Sequence, residues 1–399
     1  MNGWEQVFWE SWRSVWAVLG LIVVFVVFIE FGIPLIKKTS RRLRGKSANT
    51  LDSSSNADFF RDKDWAHTYF TEYQKEAKVV WAPFVQWWQH PMNLTYFKIN
   101  EDGIRNTDAG NSINLSGKPI RIFAFGGSTL LGVGSRDEMT IPSILARKLQ
   151  ALGKNVEITN FGQPGHSSTQ EVISLIQALK KHSVPDLALY YDGINEIIPA
   201  EQTGQADRMF NEHNRREEFN ILHFSRRNEL IEEGIKALIP RTLRRLKEIG
   251  LVFALIKPKL KEYTLLREED IEPLSIKIVE QYRDNVRIID AIAKDWGFET
   301  LFFWQPSLVS KKSLTEHEEK YQYEGTAKPN LRRPIFSTVY QTRKSDSFFT
   351  DRSNTIDISG VLDDVEEGCY IDPFHVSEDA NEMIADAMLP FVEKAIEGK

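Results

Sequence analysis

From Pro119 to the C-terminus, short apolar runs alternate with stretches of helical periodicity, and few folds accept that pattern. Ile120 to Phe125 (IRIFAF) reads as a buried strand that ends in Gly126-Gly127. Ile141 to Leu152 spaces its apolar residues as a helix does. Val156 to Thr159 is a second strand, stopping at Asn160-Phe161-Gly162, and Glu171 to Lys181 is an amphipathic helix. Leu187 to Tyr191 is a third strand, closed by Asp192-Gly193, and Thr300 to Trp304 a fourth, closed by Gln305-Pro306. Ser377 to Ile396 is a final helix with Ser377 as its N-cap. Strand-helix alternation of this kind implies an α/β fold of three layers, α/β/α, around a mostly parallel sheet. Ligands of such sheets bind beyond the carboxyl ends of the strands.

Two segments break the alternation. Residues 201–288 are long, charged and helical in pattern, and residues 311–367 are polar with little periodicity. Both are expected to be insertions, either capping a site or decorating the fold. Hydrophobic residues make up 42% of the 399 and charged residues 27%, enough apolar character for a packed core. The net charge of -6 is spread without a concentrated basic face, which argues against nucleic acid as a partner. One cysteine, Cys369, excludes an internal disulfide and a cysteine zinc cluster.

The N-terminus predicts a membrane anchor. Val15 to Ile29 carries no charge, Glu30 interrupts the run, and Phe31 to Ile36 continue it. As a helix, about 22 residues would span about 33 Å, the thickness of a bilayer core. Trp4, Trp9, Trp12 and Trp16 stand at its leading end, where an interfacial aromatic belt would lie. A cleaved signal peptide fits less well: the start is acidic, the run is long and no small-residue cleavage site follows. Lys37, Lys38, Arg41, Arg42, Arg44 and Lys46 follow at once, and the positive-inside rule places the next domain in the cytoplasm. Large domains translocate against that bias, so the side of the membrane stays open.

The expected organisation is an anchor with a basic flank over residues 1–46, a linker and aromatic-rich extension over 47–118, and the α/β domain over 119–399. Ser47 to Asn56 is small and polar, as linkers are. Trp65 to Phe97 carries ten aromatic residues, which read as packing against the core or the membrane surface in preference to a sugar-stacking platform. The stretch YFKINEDGIRNT predicts a hairpin that turns at Asp102-Gly103.

Four short motifs fall at strand ends. In Gly126-Gly127-Ser128-Thr129 a serine behind two glycines sits on a tight turn with its hydroxyl exposed, and the amides of a following helix can hold a negative oxygen. The same residues are also ordinary turn chemistry. In Asn160-Phe161-Gly162-Gln163-Pro164-Gly165 a glycine lets the backbone approach a ligand. In Gly193-Ile194-Asn195-Glu196 the Asn195 amide can donate to a developing oxyanion or simply cap a helix. In Asp372-Pro373-Phe374-His375 the carboxylate and imidazole can face each other, the aspartate fixing the tautomer of the histidine.

Taken in order, Gly126-Gly127-Ser128, Gly162, Gly193-x-Asn195-Glu196 and Asp372-x-x-His375 resemble the four blocks of the SGNH (GDSL-like) hydrolase superfamily. The resemblance runs from about Ile120 to the C-terminus, the two insertions excepted. Glycine at 127 departs from the family's usual Gly-Asp-Ser without touching the serine. Asn100 to Arg105 (NEDGIR) is similar to a segment that precedes the hydrolase core in membrane-tethered bacterial members. The resemblance implies that Ser128 attacks an ester carbonyl, His375 takes its proton and Asp372 orients His375. It implies an oxyanion hole of the Ser128 and Gly162 backbone N–H groups with the Asn195 side-chain amide, and neither metal nor organic cofactor. Three readings stay open: hydrolysis of an O-acyl ester on a glycan or lipid, O-acyl transfer to a cell-surface polysaccharide beside a membrane-bound acyltransferase partner, and an inactive membrane scaffold.

Overall fold

A five-stranded parallel sheet forms where the sequence places its apolar runs, with one strand more than those runs predict. The computed structural model describes residues 63–108, 117–182, 184–212, 266–321 and 329–399, with a few isolated positions. By its contacts the chain divides into two units, residues 1–49 with 213–262 and residues 50–212 with 263–399. The second carries the sheet. The expected anchor over residues 15–36 lies outside the described residues except for Trp16, Gly20 and Phe25, each helical. Among the described residues no helix is long and apolar enough to cross a membrane.

In chain order the elements are α1 (Asp64–Glu76), β1 (Val79–Ala82), β2 (Gln86–Gln89), β3 (Met92–Asn93), β4 (Lys98–Ile99), β5 (Ile120–Gly126), α2 (Ser128–Leu131), α3 (Ile141–Ala151), β6 (Val156–Asn160) and α4 (Ser168–Lys181). There follow β7 (Leu187–Asp192), α5 (Ile194–Thr203), α6 (Glu268–Trp296), β8 (Glu299–Trp304), α7 (Glu316–Tyr321), α8 (Pro329–Ser345), β9 (Thr355–Asp357) and α9 (Glu378–Ala395). The sheet order is β6-β5-β7-β8-β9, with every pair parallel.

Both faces of the sheet are covered, which is why its strands are nearly all apolar. On one face Ile122, Ala124, Leu189, Tyr191, Leu301 and Phe303 pack with residues of α3 and α9. On the other, Phe123, Phe125, Ala188, Tyr190, Phe302 and Trp304 pack with α4, α5, α6 and α8. Alternate residues of one strand thus serve opposite layers, as the pleat requires. Rings of Phe161, Phe125, Tyr190 and Phe302 stack in a row, with centroids 5.0–5.1 Å apart, across the second face. Such same-face pairs pin the strand register.

Parts of both expected insertions belong to the fold. Residues 268–288 belong to α6, whose Ile271, Leu274, Ile278, Tyr282 and Val286 are core residues, so this part is a layer of the fold. Its surface charges concealed the apolar stripe. Within 311–367, α8 buries Leu331, Ile335, Phe336 and Val339, and β9 is the edge strand of the sheet. Three residues are too short to register as a strand by pattern.

The aromatic-rich extension is mainly packing. Phe70, Tyr69, Phe97 and Ile99 join Leu131 and Ile371 in a third cluster. Trp81 and Phe84 remain exposed on the β1–β2 hairpin. The expected turn at Asp102-Gly103 is present, with Gly103 at φ +74° and Ile99 bridged to Arg105.

Candidate active site

Strand β5 delivers the serine. After Gly126 the chain turns through an extended Gly127 and enters α2 with Ser128 as its first residue. A first helical residue has no intrahelical acceptor for its N–H, so the Ser128 amide stays available to a ligand. The helix is a single turn, because Gly132 ends it in the left-handed conformation. Arg105 fixes that end. Its guanidinium donates to Leu131 O at 3.0 Å, Gly132 O at 3.2 Å and Ser135 O at 2.9 Å. It pairs with Asp137 at 2.8 Å and stacks on Phe97 at 3.5 Å. The NEDGIR segment therefore braces the carboxyl end of the serine turn.

The histidine comes from a closed turn before α9. Tyr370 bridges Val376, Ile371 N donates to His375 O at 2.8 Å, and Ser377 N donates to Cys369 O at 2.8 Å. Asp372 Oδ1 accepts the backbone N–H groups of Phe374 and His375, each at 2.9 Å. Asp372 Oδ2 lies 2.6 Å from His375 Nδ1, and His375 Nε2 lies 2.9 Å from Ser128 Oγ. Burial pushes the Asp372 carboxyl up, but His375, by its charge when protonated, and the three hydrogen bonds outweigh it and hold it below the usual carboxylate value. An ionised Asp372 only accepts, so Nδ1 carries the ring proton and Nε2 presents its lone pair to the serine hydroxyl.

Asn195 stands in the first turn of α5, after Gly193 at φ +138°, a conformation that favours glycine. An ideal Cβ built on Gly127 would collide with Asn195 Nδ2 and come within 3.2 Å of its Cγ. The amide donor thus lies directly against the residue before the serine. Beneath it, Glu196 accepts from Ser168 N at 2.7 Å and Ser168 Oγ at 3.0 Å, tying α5 to α4. Burial, and then the charge of Asp192, push Glu196 up to about 8.

Gly162 is placed differently from expectation. Its N–H donates to Asn160 Oδ1 at 2.9 Å, while Asn160 Nδ2 donates to Leu130 O at 3.1 Å. A Cβ on Gly162 would come within 2.5 Å of Leu131 N, so this glycine serves close packing against α2. Along the same turn, Phe161 N, Gln163 N, His166 N, Ser167 N and Ser168 N also have acceptors, and Pro164 has no N–H. The Gly165 amide has no acceptor among the described residues, and Gly165 lies at φ +68°. Trp87 Nε1 donates to Pro164 O at 2.7 Å and so fixes the plane of the Pro164–Gly165 peptide. Gly165, the second glycine of the motif, was visible in the sequence. What separated it from Gly162 was the Asn160 side chain, which no spacing rule reveals.

The structure brings Ser128, His375 and Asp372 into one hydrogen-bonded chain, sets Asn195 against Gly127, and gives Gly162 another partner. Among the described residues no group of three or more acidic, histidine or cysteine side chains could hold a metal ion.

No protein-family model matches the chain, and no curated protein matches it. Among solved structures it is similar to a member of the lipolytic protein G-D-S-L family from Veillonella parvula DSM 2008, at 13% identity over 68% of this chain and 96% of that one, with a TM-score of 0.36. It is also similar to the psychrotrophic esterase EstA from Pseudoalteromonas sp., at 11% identity over 69% and 97% of the two chains, with a TM-score of 0.33. A third is the acetyl xylan esterase AlAXEase, at 11% identity over 68% and 100%, with a TM-score of 0.33.

Proposed function

We propose that this chain is a carboxylic ester hydrolase of the SGNH type that works through an acyl-enzyme on Ser128. The observation that carries the reading is the Asp372–His375–Ser128 hydrogen-bonded chain at the carboxyl end of the parallel sheet. Ser128 Oγ attacks the acyl carbon while its proton passes to His375 Nε2. The carbonyl oxygen becomes an oxyanion, held by the Ser128 N–H, the Gly165 N–H and Asn195 Nδ2. Collapse breaks the ester bond, and His375 returns the proton to the leaving alcohol. Water then attacks the acyl carbon, with His375 again as base, and Ser128 is released.

The substrate class we assign is an O-acyl ester on a glycan or lipid, reached by a domain tethered through residues 15–36. The test is hydrolysis of an aryl acetate by the purified protein. Ser128→Ala is expected to lower kcat by about 10⁶ and Asp372→Asn by about 10⁴, the latter because the wrong imidazole tautomer faces the serine. Full turnover in Ser128→Ala would remove the proposal.

A further inference from the structure

The turn that carries Asp372 and His375 is gripped from outside by three side chains of residues 311–318, a stretch the hydrogen-bonded chain itself does not use. Glu318 Oε1 accepts from Cys369 N at 2.8 Å and from Tyr370 N at 3.0 Å. Its other oxygen accepts from Lys311 Nζ at 2.6 Å and Thr315 N at 3.0 Å. Lys311 Nζ also donates to Glu367 O at 2.7 Å, and His317 Nε2 lies 2.9 Å from Ile371 O. A carbonyl only accepts, so His317 donates there. Four backbone atoms between Glu367 and Ile371 are thus held just before Asp372.

The Lys311 and Glu318 side chains are both at 0% exposure. Burial pushes the Glu318 carboxyl up, but Lys311 and the three backbone donors outweigh it and keep it ionised. A buried ion pair is a poor way to gain stability, because desolvation offsets most of its attraction. What it supplies is direction: every hydrogen bond has one geometry, and reacting groups must be held to about 0.5 Å. Ile371 is the hinge of the arrangement, its O held by His317 and its N by His375 O.

We propose that Lys311, His317 and Glu318 are positioning residues that fix the Asp372–His375 turn at hydrogen-bond distance over Ser128, and that they act on the reaction only through that turn. The proposal rests on the reading of Ser128, His375 and Asp372 as a triad.

The experiment uses the full-length protein labelled with ¹⁵N-histidine, and reads the far-downfield Nδ1 proton of His375 in its short bond to Asp372, assigned by its loss in His375→Ala. His317→Leu should move or broaden that proton. His317→Gln should restore it, since its amide can donate to Ile371 O. On an aryl acetate, His317→Leu should lower kcat by about 10- to 100-fold, as loss of an orienting partner does, with KM within about twofold. Placed on Asp372→Asn, the same substitution should cost little more, because the residue it positions no longer functions. Glu318→Gln should behave as His317→Leu does, to a smaller extent. An unmoved proton with full kcat in both variants overturns the clamp, as does a full additive loss on Asp372→Asn. A proton that answers to His317 in a protein without Ser128-dependent hydrolysis would leave the clamp standing and defeat the ester-hydrolase reading instead.

Discussion

Asn195 Nδ2 occupies the space that a β-carbon on Gly127 would need, so the residue before the serine and the amide donor beside it form one steric unit. Any side chain at 127 must therefore move Asn195. Gly127→Ala should lower kcat by about 10²–10³, as Asn195→Ala should, which is the usual loss for one oxyanion donor. The double variant should be scarcely worse than either, since both remove the same contact. Steady-state kinetics on an aryl acetate check this, and full kcat in Gly127→Ala would uncouple the two residues.

Much of this site was legible in the sequence because its residues sit at strand ends. Ser128, Asn195 and His375 follow apolar runs that the structure confirms as β5 and β7 or precede α9, whose N-cap Ser377 was also readable. Long-range partners were not legible. Nothing in the spacing says that Asn160 takes the Gly162 amide, or that Arg105 reaches the end of α2. Helix α6 hid behind its surface charge, and β9 behind its brevity. Such features depend on which segments meet in space.

Arg105 should be among the most destabilising positions to change. Its side chain is fully buried, it holds the carbonyls of Leu131, Gly132 and Ser135, and its ion-pair partner Asp137 is buried with it. Arg105→Ala removes the cation that pairs with that buried carboxylate, leaving it the Lys98 N–H, and should cost about 3–5 kcal/mol. Arg105→Lys should recover little, because a point-like ammonium lacks the planar set of five donors. The urea midpoint reads both effects, and an Arg105→Lys variant as stable as the parent would contradict this account.

Three carboxyl groups, Glu171 and Asp192 buried and Glu196 half-buried, should make the fold weaken as pH rises. Burial pushes Asp192 up to about 7 and Glu196 up to about 8, and burial together with Asp192 keeps the proton on Glu171. Across roughly pH 4 to 8 the folded state then binds protons that the unfolded chain, with carboxyls near 4, has released. This stability is present below the unfolded value and is lost as pH climbs through the folded ones. Urea midpoints at pH 5 and pH 8.5 should show the loss, and Asp192→Asn with Glu196→Gln should reduce it, leaving the part that Glu171 contributes. A parent midpoint that rises over this interval would show the carboxyls to be ionised and paired.

Removing residues 1–46 should release a soluble protein that still hydrolyses the aryl acetate. The apolar stretch lies within that segment, and the linker after it is polar. Carbonate washing of membranes separates the two states. A truncated protein that stays in the pellet would show that other residues hold the membrane.

In the proposed reaction Ser128 is the nucleophile and His375 its base. An alkyl phosphonate, which mimics the tetrahedral intermediate, should form one adduct per chain. Mass spectrometry of the proteolysed protein should place it on the peptide containing Gly126 to Leu130, at Ser128. Ser128→Ala should take no label, and His375→Ala should label far more slowly because the hydroxyl loses its proton acceptor. An adduct on another serine, or unchanged labelling in His375→Ala, would contradict the account.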